Sequence, residues 1–434
     1  MSAVAVLLAA GLGTRMKSSL PKALHRIAGR PMLDHLIATC AEVFDRVVVV
    51  VGPDMDRVAH AAAPNGVVVQ HDRLGTAHAA LQAEALFGDG DVAVLYADNP
   101  LIPAETMRRL LEARQSCGLA LLAMRPADPG RYGRVILAGD RVERIVEWAD
   151  ATEAERAEGL CNAGVLCAAA ADFSRWLHAV APSPKGEYYL TDCVSLAVAE
   201  GHRVEAVEAP WEQLRGVNSR VELAEAEATL QSWMRRSAME AGVTMTAPET
   251  VQLSWDTRLA ADVTVGPNVV FAPGVVVESG AEIRAFSHLE GCRVGPGALV
   301  GPFARLRPGT VLEADVHIGN FVEVKATRVG RGAKANHLSY LGDSEIGEKT
   351  NIGAGTITCN YDGFNKFQTK IGAGVFVGTA SVLVAPLRLG DGSFVAAGSV
   401  VTKDVPADAM TFGRAQQVDK PGRAAAFRAG KEKA

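Results

Sequence analysis

From Met245 onward an apolar residue recurs every sixth position, a period that neither an α-helix nor a half-buried strand produces. Leu259, Val265, Phe271, Val277, Ile283 and Leu289 form one register. Val294, Val300, Leu306, Leu312, Ile318 and Val324 form a second, and Ile371, Val377, Leu383, Leu389, Val395 and Val401 a third. A six-residue repeat implies one flat face per hexad, with the aliphatic side chain turned inward, small residues at the corners and three faces closing each turn. Glycine often follows the inward residue, as in Val294-Gly295 and Ile318-Gly319. The pattern predicts an all-β, left-handed parallel β-helix over 245–434, whose stacked turns share one apolar core. The break from Cys359 to Thr369 reads as a loop thrown out of the prism, where repeat proteins tend to carry binding residues.

The first half follows another rhythm. Val4 to Ala9, Val47 to Val51, Val67 to Gln70, Val92 to Tyr96 and Leu119 to Met124 read as strands. Met32 to Val43, Met55 to Ala62, Ala77 to Leu86 and Ala104 to Arg114 read as helices between them. Fully apolar strands alternating with helices imply a mostly parallel sheet covered on both faces, an α/β Rossmann-like domain over 1–219. Ligands on such sheets bind beyond the carboxyl ends of the strands. Arg220 to Ala241 holds no glycine or proline and reads as one long helix, a spacer arm within a linker over 220–244. At 434 residues and 48% apolar composition the chain is long enough for two cores.

A formal net charge of −5 gives no general attraction to nucleic acid or to an anionic membrane, so phosphate chemistry has to come from local sites. Seven scattered cysteines without a C-x-x-C pair suit a reducing compartment, which points to the cytoplasm. Met1 to Gly13 lacks a basic leader and reads as a buried strand, and no apolar run reaches the ~18–20 residues of a membrane span. Lys420 to Ala434 reads as a disordered basic tail.

Chemistry first shows in Leu8-Ala9-Ala10-Gly11-Leu12-Gly13-Thr14-Arg15-Met16, followed by Leu20-Pro21-Lys22. A strand ending in a glycine turn lets backbone N–H groups approach a phosphate, and Arg15 and Lys22 neutralise charge that builds during phosphoryl transfer. This string resembles the signature of sugar nucleotidyltransferases. With the hexad half attached, nearly the whole chain resembles the bifunctional family that joins an N-acetylglucosamine-1-phosphate uridyltransferase to a glucosamine-1-phosphate N-acetyltransferase.

The resemblance implies two reactions. The C-terminal half transfers acetyl from acetyl-CoA to glucosamine-1-phosphate; the N-terminal half then transfers uridylyl from UTP to N-acetylglucosamine-1-phosphate and releases pyrophosphate. The product feeds peptidoglycan, lipopolysaccharide and lipid A synthesis. It also implies Mg²⁺ held by Asp98 and Asn218, an oxygen-only pair that suits this ion. The UDP-sugar would meet Leu8, Ala9, Ala10, Gly11, Lys22, Gln70, Gly75, Thr76, Gly133, Glu147, Asn162 and Asn218. The family usually has glycine before the aspartate, a small or β-branched residue after it, and a hydroxyl residue after the sugar-site asparagine. This chain has Ala97, Asn99 and Ala163.

In the second half, the resemblance makes His337 of Asn336-His337-Leu338-Ser339-Tyr340-Leu341-Gly342-Asp343 the general base that frees the substrate amine. A neutral imidazole is available for that near pH 7. Arg307, Lys325, Tyr340, Asn351, Asn360 and Tyr361 would form the glucosamine-1-phosphate and acetyl site, with Ala354, Thr379, Ala397 and Arg414 along the acetyl-CoA channel. Thr379 stands where the family often has serine. The resemblance implies a homotrimer with small-molecule substrates and neither nucleic acid nor membrane as partner. Three rival readings are disfavoured: Arg307, Lys325, His337 and Tyr340 argue against a transferase for another sugar with an inert β-helix, Lys22, Asp98 and Asn218 against a regulatory protein without catalysis, and the lack of a ligand pattern across His288, His317 and His337 against zinc chemistry.

Overall fold

A computed structural model of the chain describes residues 2–139 and 141–431 and divides into two compact units, Met1–Trp233 and Met234–Ala434. In the first, strands β1 (Ala3–Leu8), β2 (Arg46–Val51), β3 (Gly66–Val69), β4 (Asp91–Tyr96), β5 (Leu119–Met124), β8 (Cys161–Ala169) and β9 (Val204–Glu208) form a sheet in the order β9-β5-β8-β4-β1-β2-β3. A hairpin of β6 (Arg134–Ala138) and β7 (Arg141–Val146) joins it through β8. Pairing is parallel along this path except at β8, which runs antiparallel to both β4 and β5.

Strand residues alternate between two cores, as a side-chain period of two requires. Leu7, Val49, Leu95 and Leu122 pack with Leu33, Leu36 and Met107 on one face; Val6, Val50, Val94 and Leu121 pack with Phe87, Phe173 and Trp176 on the other. That double burial explains why these strands read as continuous apolar runs.

The second unit is the β-helix. Short strands stack into three parallel sheets of ten, eight and eight strands, one per face of the prism. The hexad residues point inward: Val265, Ile283, Val300, Leu306, Val324, Val377 and Leu383 are fully buried in one continuous core. Corners leave no room for side chains at key points. A Cβ on Gly319 would lie 2.0 Å from Asn336 O, and one on Gly295 2.7 Å from Leu312 O. One turn carries the insertion: Ile346 pairs with Ile371, 25 positions on, whereas Ile371 pairs with Leu389, 18 positions on.

Two expectations need correction. The long helix, Arg220–Glu240, is not a bare spacer. Ala226 is buried, Leu223, Leu230 and Trp233 pack with Ile27, Met32, Leu101 and Val217 in the first unit, and Met234 and Ala238 pack on the β-helix core in the second. Its apolar residues recur at helical spacing and so form a stripe that packing covers. The basic tail forms a helix at Arg423–Lys431, because an alanine-rich run ending in Arg428 and Lys431 combines high propensity with cations at the negative end of the helix dipole. Residues 432–434 of that tail, and Met1 of the first strand, lie outside the described residues. No helix among the described residues is long and apolar enough to cross a membrane.

Leu306→Ala would remove a fully buried side chain between tightly stacked coils, so it should cost about 2–5 kcal/mol of stability. Denaturant unfolding would register this as a lower midpoint, and an unmoved midpoint would contradict the stacked core.

Candidate active sites

The carboxyl edge of the first sheet surrounds a cavity of about 300 Å³. Leu8, Ala9, Ala10 and Gly11 carry β1 into its turn, and Lys22 comes from the helical turn Lys22–Leu24. Gln70 follows β3, Gly75 and Thr76 open the helix Thr76–Leu81, and Asp98 follows β4; all line the cavity. Lys22 Nζ donates to Asp98 Oδ2 and, at 3.0 Å, to Asn218 Oδ1, while Arg15 Nη2 donates to the same Asn218 oxygen at 2.8 Å. A carboxylate and an amide oxygen from distant segments therefore converge on one cationic centre.

Gly75 is fixed by two demands. Its φ is +119°, and a Cβ there would lie 2.4 Å from Tyr188 O. Leu190 N donates to Thr76 Oγ1 at 2.9 Å, so the turn is laced to the 188–190 segment. Gln70 spends its amide nitrogen on Gly75 O (3.0 Å) and His78 Nδ1 (3.1 Å), which leaves its oxygen for a ligand N–H.

Gly133, Glu147 and Asn162 form a second cluster. Asn162 N donates to Gly133 O at 2.8 Å, and a Cβ on Gly133 would lie 3.6 Å from Glu147 Oε2. Burial pushes the Glu147 carboxyl above its usual range; the Thr191 hydroxyl, donating at 3.1 Å, opposes this, and the Asp192, Asp150 and Glu187 carboxylates add to it. Tyr96 links the clusters: burial pushes its phenol up, the Glu147 carboxylate adds to this and the Thr76 hydroxyl opposes it. Its ring fills the space over Gly164, where a Cβ would come within 2.3 Å.

On the β-helix, His337 ends one face and Tyr340 begins the next. The exposed His337 pairs in register with Asn320 one coil earlier, and its Nδ1 lies 2.9 Å from Asn320 Oδ1. The amide oxygen only accepts, so in a neutral imidazole this contact puts the proton on Nδ1 and leaves the lone pair on Nε2. Lys325 Nζ donates to Asp343 Oδ2 at 3.2 Å, and Asn360 Nδ2 donates to the same oxygen. Burial pushes the Lys325 ammonium down, but its hydrogen bond and charge pairing with Asp343 outweigh this and hold it above its usual value. Gly342 keeps the spot open: a Cβ there would lie 2.5 Å from Tyr340 Oη and 2.9 Å from Asn360 Nδ2. Arg307, on the preceding coil, donates from its backbone N to Val324 O and from its guanidinium to Glu323 Oε1, both at 2.8 Å.

Ala354, Thr379, Ala397 and Arg414 follow one corner away from His337. Gly355 N donates to His337 O, Ala380 N to Ala354 O and Gly398 N to Thr379 O, at 3.3, 2.7 and 2.8 Å. A Cβ on Gly398 would lie 3.7 Å from Arg414 Cδ. Tyr361 is exposed in the extruded loop. Asn351 lies one coil on from His337 but in register with Lys334. His288, His317 and His337 do not gather into a three-ligand cluster among the described residues.

The MobA-like NTP transferase domain family matches residues 5–165. The chain is 64% identical to the bifunctional protein GlmU of Gluconacetobacter diazotrophicus, over 98% of this chain and 94% of that one. It is 63% identical to that of Granulibacter bethesdensis over 98% and 96%, and 61% identical to that of Acidiphilium cryptum over the full length of both. The chain belongs to the GlmU family. It is thus a bifunctional enzyme, a uridylyltransferase and an acetyltransferase in one polypeptide.

Several residues placed by this GlmU-family fold escaped the sequence reading. Arg73 lines the cavity at the carboxyl edge of the sheet, with its Nε donating to Ala10 O at 2.9 Å. Glu222 accepts from the backbone N of Asn218 and Ser219 while Ser219 Oγ accepts from Glu222 N, a capping box that Ser219-Arg220-Val221-Glu222 announces. Asn320, Glu323 and Asp343 orient His337, Arg307 and Lys325.

Because the folded state holds the Glu147 proton more tightly than the unfolded chain, ionising it costs stability as pH rises from the ordinary glutamate value through its raised one. Glu147→Gln should therefore gain thermal stability at neutral pH relative to pH 4. A melting temperature that shifts equally at both pH values would show that Glu147 is not so perturbed.

Proposed function

We propose that the cavity around Lys22 and Asp98 is the uridylyl-transfer site and that the His337 corner is the acetyl-transfer site, acetylation coming first. The observation that carries this is the pair of convergences: Lys22, Arg15, Asp98 and Asn218 in one unit, and, in the other, His337 with Asn320 at the corner that leads into the Tyr340 strand, at whose far end Lys325, Asp343 and Asn360 meet.

In acetyl transfer, His337 Nε2 takes a proton from the glucosamine amine while Asn320 holds Nδ1–H and so fixes the tautomer. The freed amine attacks the thioester carbonyl, and the departing coenzyme thiolate recovers the proton. Arg307 and Lys325 hold the sugar phosphate, Tyr340, Asn351, Asn360 and Tyr361 the sugar, and Arg414 a coenzyme phosphate, with Ala354, Thr379 and Ala397 leaving a low-walled path between. In uridylyl transfer, a phosphate oxygen of N-acetylglucosamine-1-phosphate attacks the α-phosphorus of UTP and pyrophosphate leaves. Lys22 and Arg15 offset the charge that builds there. Gln70 and the Gly75-Thr76 turn hold the uracil, and Gly133, Glu147 and Asn162 hold the amino sugar.

The donor set fits Mg²⁺, because Asp98 Oδ2 and Asn218 Oδ1 already aim at one cation, the Lys22 ammonium. Bound to these two oxygens, the ion would supply further charge neutralisation at the α-phosphate. We read the assembly as a cytoplasmic homotrimer. Phe286, Phe303 and Phe321, exposed yet stacked at centroid distances of 4.9 and 5.2 Å, give neighbouring prisms an apolar edge next to the His337 corner. Light scattering should report a mass three times that of the chain.

Asp98→Ala should abolish UDP-sugar formation and leave acetyl transfer intact. His337→Ala should do the reverse, lowering acetyl transfer by ~10²–10⁴-fold. Coupled assays of free thiol and of pyrophosphate separate the two, and loss of both activities from either change would refute independent sites.

A further inference from the structure

Asn99 follows Asp98 directly and is buried, with 2% of its surface exposed. Its Nδ2 donates to Ala163 O at 3.1 Å and to Leu214 O at 2.7 Å, so both amide hydrogens are used. Each partner belongs to a segment that carries a ligand-binding asparagine. Ala163 follows Asn162 in β8, at the point where the ladder to β5 shifts register between Asn162 and Leu166. Leu214 leads into Gly216-Val217-Asn218. There Val217 N donates to Asp98 O at 2.8 Å, and a Cβ on Gly216 would lie 3.7 Å from Asn99 Oδ1, 3.4 Å from Asn218 Nδ2 and 3.8 Å from Asp98 Oδ2. The Gln70–Gly75 turn, by contrast, is held from the other side by Tyr188 and Leu190.

We infer that Asn99 is a positioning residue for uridylyl transfer, which ties the sugar-binding end of β8 to the Asp98–Asn218 pair so that sugar phosphate and metal ion strengthen each other's binding. This rests on the assignment of Asn162, Asp98 and Asn218 made above. A side chain of the same size without donors would leave two buried carbonyls unpaired and free both segments to move to find other partners. The distance between sugar and metal sites would then no longer be set, whereas the uridine side would be untouched.

The test uses the full-length protein. Asn99→Leu should raise KM for N-acetylglucosamine-1-phosphate, and the Mg²⁺ concentration giving half-maximal rate, by about tenfold or more, with KM for UTP and acetyl transfer unchanged. Asn99→Thr, which keeps one donor, should give an intermediate shift. Independently of turnover, calorimetry should show that Mg²⁺ tightens UDP-N-acetylglucosamine binding to the parent but not to Asn99→Leu, while UDP alone binds both equally. A parent-like KM for the sugar phosphate, or an equal loss of UDP and sugar binding in both variants, overturns the proposal. Absence of any Mg²⁺ effect on the parent would instead remove the metal assignment on which it rests.

Discussion

Parallel backbone pairing at a constant spacing of about 4.8 Å is the constraint on which the functional geometry of both halves depends. In the β-helix it sets Asn320 against His337 and Lys325 against Gly342, since register partners on adjacent coils stand side by side without any side chain having to reach. In the sheet it brings β1 and β4 to an end at the same level, Leu8 beside Tyr96, so that the glycine turn after one strand faces Asp98 after the other. Side-chain chemistry is then a matter of which residue occupies a lattice point that the backbone has already fixed.

Both sites hold their cations in advance on carboxylates: Lys22 on Asp98, Lys325 on Asp343, Arg307 on Glu323. Arg307–Glu323 is the most exposed of the three, and exposed pairs contribute roughly 0–1 kcal/mol, so it orients the cation without holding it against a stronger anion. A phosphate brings more charge and more acceptor oxygens than one carboxylate, and it can share or take the donors at small cost. Glu147 is the opposite case. Burial and neighbouring carboxylates work against its charge, and a buried acceptor in that state gains most when a ligand supplies hydroxyl donors.

What was legible in the sequence was whatever repeats or reads locally. The hexads name the inward residues of the prism because each one touches the core, and the apolar runs of β1, β2, β4 and β5 name strands buried on both faces. Less legible was β8, whose Cys161–Ala169 run is apolar yet antiparallel, with a register shift that only its neighbours determine. Arg73, Asn320 and Asp343 were missed for a similar reason: their partners, Ala10, His337 and Lys325, come from other strands or coils, and a polar residue in a loop carries no local mark of the partner it will meet. Glu222 differs, since the Ser219-to-Glu222 spacing is a local signal that was available. The tail is the reverse case: a terminal position argues for disorder, whereas the alanines of Arg423–Lys431 favour a helix.

The insertion after Cys359 shows why a repeat fold can host a site at all. Ile346 and Ile371 still pair in register across it, so the coils before and after the loop are unchanged by the extra residues between them. Lengthening a closed loop costs only about 0.6 kcal/mol per doubling, and in a solenoid each coil depends only on its neighbours. The loop therefore brings Asn360 against Gly342 and onto Asp343, and leaves Tyr361 exposed, without disturbing the stack that holds His337 and Lys325 in place.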